Sequence, residues 1–248
     1  MVRAILEGRK TQTRRTKGLE RINDPEEKDC YSSLEHVTSV DDPTKNGVFL
    51  ELKADSSRGL FVPYPYGAIG DLIWVRETFL AYPDKGFAYK ASTDSEGEEL
   101  RRAYVDKGEL WCRWKPSIHM PKEAARIWLM VEEVRVERLQ DISEEDAIAE
   151  GVEWVDTGSA ISHGYRDYMS RDLDDLNYAD PTDSFDSLWE SINGEESWEK
   201  NPWVWVVKFR VLSTEGKPSV DVIRENWESV NSSLWTVDSR EEVKDGLD

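Results

Sequence analysis

An α+β fold, built as a small mixed β-barrel with flanking short helices, is what this sequence predicts. Three observations lead there. Short apolar runs with period two are scattered along the chain, at residues 72–75, 127–136 and 203–211. Brief stretches with helical spacing lie between and beside them, not in a regular strand–helix alternation. Long acidic or irregular segments separate these elements and read as insertions into a closed core.

The elements follow in order. Val2, Ile5 and Leu6 have helical spacing, and Gly8 suits the position just past a helix end. Arg9 to Arg15 is polar and Thr-rich, a loop entering a strand. Residues 22–65 carry Pro25, Pro43, Pro63 and Pro65 among scattered acids and read as an irregular insertion. Gly70-Asp71 marks a turn before Leu72-Ile73-Trp74-Val75, a buried strand, and Phe87 to Ala91 is expected to pair with it. Trp74 and Tyr89 belong to the core in this reading.

Ile127, Leu129 and Val131 alternate, and Val134 and Val136 continue past a bulge expected at Glu132-Glu133. Ser143 followed by Asp146 forms a capping box that opens a helix over Glu144–Glu150, closed by Gly151. Residues 153–184 lack apolar period and read as a second, acidic insertion or mobile loop. Phe185, Leu188, Trp189 and Ile192 set a helix that stops at Asn193-Gly194. Trp203, Trp205, Val207, Phe209 and Val211 line one face of a last long strand, and Val222, Ile223 and Trp227 suggest a short tail helix. The expected organisation is one domain over residues 1–212 and an acidic tail over 213–248.

Composition narrows the function. The 248 residues include 51 acids against 32 Lys and Arg, a net charge of −19, with 11 Trp and 38% hydrophobic residues. Mean hydropathy is −0.67. That many Trp residues argue against a wholly disordered chain. No run approaches the roughly 18 apolar residues of a membrane span, so a soluble, cytoplasmic protein is expected. Two cysteines, Cys30 and Cys112, are too few for a disulfide framework or a Cys-rich zinc site. His119, with only His36 and His163 elsewhere, makes no metal cluster, and no phosphate-cradling Gly loop or HExxH motif occurs. No metal and no cofactor are expected.

Charge is uneven. Residues 1–21 hold seven basic residues against two acids, residues 151–200 hold 13 acids against three bases, and residues 213–248 nine against four. Phosphate contacts need local Lys or Arg, so a long duplex is an unsuitable ligand and nucleotide chemistry is confined to the N-terminal segment. A nucleoside or a short single-stranded RNA fits that limit better.

Gly8-Arg9-Lys10-Thr11-Gln12-Thr13-Arg14-Arg15 resembles the G-x-K-x-x-[E/T]-x-R signature of the ASCH family, a branch of the PUA-like β-barrels. Gly70 to Thr78, Trp114 to Pro121, Leu139 to Ala147 and Asn201 to Val207 resemble further blocks of its phage and prophage members. The resemblance spans most of residues 1–212. Members usually place a short strand before the first helix, whereas Met1 here falls inside that helix; the expectation is a chain that starts late or a barrel without that strand.

The resemblance implies hydrolysis of the acetyl amide of N4-acetylcytidine. Carried over by motif, Thr13 is the nucleophile, Lys10 its base and Glu150 the acid. A Thr hydroxyl needs an adjacent base, and Lys can serve only where burial or nearby cations such as Arg9, Arg14 and Arg15 lower its pKa. Glu150, at the C-terminal end of a helix, meets the negative end of the dipole, which favours its neutral form. As ordinary surface residues, Lys10 and Thr13 would belong to a solvated loop and Glu150 to an exposed acidic helix.

Arg15 would contact a substrate phosphate or carboxylate, or pair with Glu77. Arg76 and Glu77 end a strand and either face the cleft or pair structurally. Trp114 would stack on a base or pack under a loop. Ser117 and His119 complete the candidate substrate contacts. Two other readings stay open. One is an RNA- or modified-base-binding module or ribonuclease, with a basic groove of Arg3, Arg9, Arg14, Arg15 and Lys17, extended by Arg113, Lys115, Lys122 and Arg126. The other is a phage accessory protein in the host cytoplasm, whose acidic runs Asp172–Asp175 and Asp180–Asp186 bind a host protein.

Overall fold

The computed structural model of this chain describes residues 1–24, 31–37, 47–52, 55–82, 86–93, 95–109, 112–156, 163–170 and 178–241. The fold is mixed α+β, with a curled antiparallel half-barrel sheet and mostly short helices. The strands of that sheet are β1 (Gln12–Arg15), β5 (Leu72–Trp74), β8 (Trp128–Arg138) and β11 (Trp203–Ser213), in the order β1-β11-β8-β5. Among the described residues no helix is long and apolar enough to cross a membrane. Pro25, Cys30, Pro43 and the acidic run Asp172–Asp175 lie outside the described residues.

Contacts divide the chain into two compact units. One comprises Met1–Leu6, Leu72–Met130 and the chain from Arg210 onward. It contains α1 (Val2–Leu6), β5 paired with the start of β8, and a hairpin of β6 (Phe79–Tyr82) and β7 (Gly86–Tyr89). Its core is Phe79, Met120, Ala124, Ala125 and Trp128, with Trp74 and Tyr89 packed against it. Phe87 to Ala91 was expected beside Leu72–Val75. Instead β7 pairs with β6, and β5 takes β8 as its partner. Gly86, at φ +83, supplies the left-handed backbone at the hairpin's edge, where a near neighbour in sequence wins the pairing.

Two helices of this unit were under-read. The first, α2 (Ser95–Asp106), is rich in Glu and Arg and shows no apolar period; Arg101 meets Glu98 one turn earlier at 2.7 Å. The second, α5 (Val220–Glu241), runs 22 residues where the tail promised only a short helix.

The other unit comprises Glu7–Asp71 and Val131–Phe209. In it β1 lies antiparallel to β11, from Gln12 opposite Lys208 to Arg15 opposite Trp205. Trp203 to Val207 are buried without interruption, so both faces of β11 are covered, not the single face that alternation suggested. Val204 and Val206 pack on Leu139, Ile142, Ala147, Val152, Phe185 and Trp189. Each buried Val, Leu, Ile or Phe side chain among them contributes roughly 1.5–3 kcal/mol by leaving water.

This core is carried by α3 (Glu144–Ala149) and α4 (Pro181–Asn193). Ser143 Oγ accepts from the Asp146 N–H at 3.2 Å, and Gly151 at φ +89 lets the chain leave the helix. Only half of the capping box forms, because the Asp146 carboxylate is held by Arg14 and Arg135. Asp180 caps α4 through the Thr182 N–H at 2.7 Å, and Gly194 follows its last turn.

Two expected insertions prove partly regular. Within residues 22–65, β2 (Tyr31–Val37), β3 (Gly47–Leu52) and β4 (Asp55–Pro63) form a three-stranded antiparallel sheet. The apolar runs at residues 48–50 and 60–62 face each other in its register, a signal that the nearby prolines had masked. Within residues 153–184, β9 (Trp154–Asp156) pairs with β10 (His163–Tyr165), and Tyr165 bridges to Tyr178.

Asp186 on α4 makes this unit pH-sensitive. Desolvation, then the charges of Glu190, Asp183 and Glu199, push its carboxyl up to about 6. A carboxyl whose pKa rises on folding favours the protonated state, so stability falls as pH climbs from about 4 to about 6 and then levels off. Asp186→Asn should therefore raise the melting temperature at pH 7.5, with the gain disappearing near pH 4. A gain of equal size at both pH values would refute this.

Candidate functional site

β1 and the extended residues before it present side chains with period two. Lys10, Gln12 and Arg14 are all buried, and all three reach the segment of α3 and its C-terminal residue Glu150. Lys10 Nζ donates to Glu150 Oε2 at 2.6 Å and to the Glu150 carbonyl at 2.7 Å. Lys10 is 3% exposed and Glu150 5%. The Gln12 side-chain amide donates to the Asp146 carbonyl at 2.9 Å.

Arg14 is the hub of a wider network. Its guanidinium meets Glu150 Oε1 at 3.2 Å and Asp146 Oδ2 at 2.9 Å, and it also pairs with Glu137. Arg135 binds the same Asp146 and Glu137 carboxylates from β8, and adds Glu133 at 2.9 Å. The Arg14 guanidinium also lies 5.6 Å from the centre of the Phe185 ring.

Burial is the largest influence on Lys10 and lowers its pKa. The Glu150 carboxylate opposes that shift, while Arg15 and Arg14 add to it. The ordinary-surface reading of Lys10 and Glu150 is thus excluded: they form a buried ion pair bridging 140 residues of chain.

Thr13 stands apart from this pair. It lies between Gln12 and Arg14 on β1, so the pleat turns its side chain to the opposite face. Its hydroxyl is buried without a hydrogen-bond partner, while the Lys10 amine donates to Glu150. The register places Thr13 and Arg15 on the same face as Val207 and Trp205, whose indole N–H is likewise buried and unpartnered. The expected triad is therefore split: two members meet and the nucleophile faces away.

The basic groove changes too. Arg14 is withdrawn from solvent, because three carboxylates on α3, its end and β8 neutralise it. It offers no surface contact to a phosphate. Arg9 donates to Glu7 and to the Gly151 carbonyl, tying the signature loop to the end of α3, while Lys17 is exposed. Arg15 is half-buried and donates to the Arg14 carbonyl at 2.9 Å.

The remaining candidates belong to the other unit. Both oxygens of Glu77 are taken by Arg126, at 2.9 and 2.8 Å. Arg126 also stacks 4.2 Å from the centre of the Tyr89 ring, so it too serves packing. Arg76 is exposed and covers Trp74 at 5.0 Å. Trp114 donates to Glu98 at 2.9 Å and carries Arg101 over its ring, the packed alternative to base stacking. Ser117 and His119 bound a single 3-10 turn, with His119 exposed. Among the described residues, no group of His, Cys, Asp and Glu is arranged to hold a metal ion.

No protein-family model, curated protein or solved structure matches this chain.

Sequence reading missed Gln12, Arg135, Glu137 and Asp146. The signal for Gln12 was the even-numbered series Lys10, Gln12, Arg14, which marks one face of a strand. Nothing local marked Glu137 and Asp146 as partners of Arg14, which lies more than a hundred residues away, whereas Arg135 pairs with acids within 11 residues of it, two of them on its own strand face.

Proposed function

We propose that this chain is a PUA-like protein of the ASCH type that hydrolyses an acylated nucleoside, most specifically the acetyl amide of N4-acetylcytidine. The observation that carries this reading is the Lys10–Glu150 contact, expected from motif positions alone and met at 2.6 Å in a nearly water-free setting. Burial lowers the Lys10 pKa, which favours the neutral amine that a general base requires, and the Glu150 carboxyl group lies within hydrogen-bond reach of it.

The reaction consumes one water. The amide C–N bond breaks, the acetyl carbon gains oxygen, and the departing N4 gains a proton, giving acetate and cytidine. The step starts from the neutral form of the pair, the shared proton on Glu150: the Lys10 amine then takes the proton of the attacking oxygen, and the Glu150 carboxyl gives its proton to the leaving nitrogen. Thr13 on the opposite face is out of reach of Lys10 in this arrangement, so a water molecule is the attacking group that the geometry favours.

Acetate release from N4-acetylcytidine tests the reading. The intact protein should turn over, and Lys10→Ala and Glu150→Gln should each lose about 10²–10⁴-fold in kcat, the usual contribution of a general acid or base. Thr13→Ala should retain most of the rate. Loss of rate in Thr13→Ala, with Lys10→Ala still active, would move the chemistry to the Thr13–Arg15 face. No turnover by folded wild-type protein would refute the hydrolase.

A further inference from the structure

The β9–β10 ribbon of the second unit takes no part in the Lys10–Glu150 pair. Its register sets Tyr165 opposite Trp154 and His163 opposite Asp156, and directly opposed residues project from one face of a ladder. Trp154 and Asp156 are two residues apart, so all four side chains share that face. Val155 and the buried Gly164 belong to the other. The shared face is open to solvent. Trp154 is 52% exposed, Asp156 and His163 are exposed, and Tyr165 is half-buried.

The rings on this face form a corner. Trp154 and Tyr165 stand at 83° with centroids 5.0 Å apart, and His163 tilts against Trp154 at 6.0 Å. Tyr165 also packs against the core cluster around Phe185 and Trp189, which holds that wall in place. Elsewhere the chain lays its own cations over its aromatic rings. Arg76 lies 5.0 Å from the centre of Trp74, Arg101 5.7 Å from Trp114, Arg126 4.2 Å from Tyr89 and Arg138 4.5 Å from Trp203. Arg166, next in sequence to the corner, is taken by Tyr168 at 5.4 Å and by Glu153 at 3.2 Å. Among the described residues, no Arg or Lys lies over Trp154.

The chemistry of the partner follows from the rings and the charge around them. An exposed ring face attracts a cation by about 0.5–1 kcal/mol. Asp156 stands one pleat repeat from Trp154, about 7 Å along β9, and adds a carboxylate to the same face. A guanidinium is flat, weakly hydrated and edged with N–H donors, so it can stack on the indole and donate to that carboxylate at once. A primary ammonium has no flat face and holds its water more firmly. Residues 151–200 hold 13 acids against three bases, which attracts a chain bearing several positive charges and repels phosphates. We propose that this face of the β9–β10 ribbon docks a basic peptide segment of a protein partner, with one arginine stacked on Trp154 and paired with Asp156.

Fluorescence anisotropy with the full chain tests this. The labelled probes are a peptide of arginines spaced by glycines, its lysine counterpart, and single-stranded oligouridylate. The arginine peptide should bind saturably, the lysine peptide about threefold more weakly, and the RNA not at all. Trp154→Leu keeps an apolar side chain but removes the ring, and should weaken the arginine peptide about fivefold. Asp156→Asn should weaken it as well. Trp154 is half exposed, so its replacement should leave circular dichroism and melting temperature unchanged. Hydrolysis at Lys10 is independent of this face, and Trp154→Leu should release acetate at the wild-type rate. Equal binding of the arginine and lysine peptides, or arginine-peptide binding undiminished in Trp154→Leu, would reduce the attraction to net charge and overturn the assignment. Oligouridylate binding that Trp154→Leu abolishes would make the corner a base-stacking surface instead. Absent arginine-peptide binding by folded wild-type protein would also overturn it.

Discussion

Glu150→Ala should destabilise the protein by about 3–5 kcal/mol, the range seen when one partner of a buried ion pair is removed. The loss would come mainly from what remains. Lys10 keeps its position, 3% exposed, with its nearest carboxylate gone. Lys10→Met should be nearly as damaging, since Glu150 then keeps only the 3.2 Å contact to Arg14. The double variant Lys10→Met with Glu150→Leu should recover most of that loss, because matched apolar residues are often neutral or better in place of a buried pair. Urea unfolding of the four proteins reads the coupling directly. Additive losses would mean that the two groups act separately, as exposed pairs do. The cycle also bears on the hydrolase: a double variant that folds well but releases no acetate assigns the pair a chemical role beyond stability.

Arg14→Met should cost about as much, again about 3–5 kcal/mol. The substitution keeps most of the side-chain volume beside Phe185 but strands negative charge. Glu137 and Asp146 retain Arg135, whereas Glu150 retains only Lys10. Arg14→Lys should recover little of the loss, because a compact ammonium cannot reach three carboxylates as a planar guanidinium does. The Arg14 side chain is fully shielded from solvent, so its contribution should persist in 1 M salt, where surface pairs are screened. A loss below about 1 kcal/mol, or one that salt erases, would contradict the buried hub.

These results would also decide how the basic N-terminal segment is used. Its net positive charge suggested a surface for phosphates. Arg14 instead neutralises acids inside the molecule, and Arg9 ties its loop to Glu7 and Gly151. A count of charges along the chain cannot distinguish the two uses, since it ignores which groups are shielded from water.

Local signals were legible in the sequence. Helix ends at Gly8, Gly151 and Gly194 follow from glycine's tolerance of positive φ, and all three adopt it. The cap at Ser143 follows from a short polar side chain that reaches the first free N–H groups, whereas the cap at Asp180 was passed over inside an acidic run. The strands at 72–74, 128–138 and 203–213 follow from dense apolar runs. The three-stranded sheet after residue 30 was overlooked for a local reason: prolines and acids outweighed two short apolar runs that become a pair only across a ladder.

Sequence by itself determined the α+β class and the principal strands, and a motif resemblance named Lys10 and Glu150 together before their contact was seen. Each depends on spacing or motif, which the chain displays without folding. Only the tertiary structure decided which face of β1 each signature residue occupies, and so separated Thr13 from Lys10. It also gave Arg14 to Glu137, Asp146 and Glu150, gave Glu77 to Arg126, and left the buried Trp189 N–H without a partner. Those outcomes depend on which distant groups share a low-dielectric interior, and no local pattern encodes that choice.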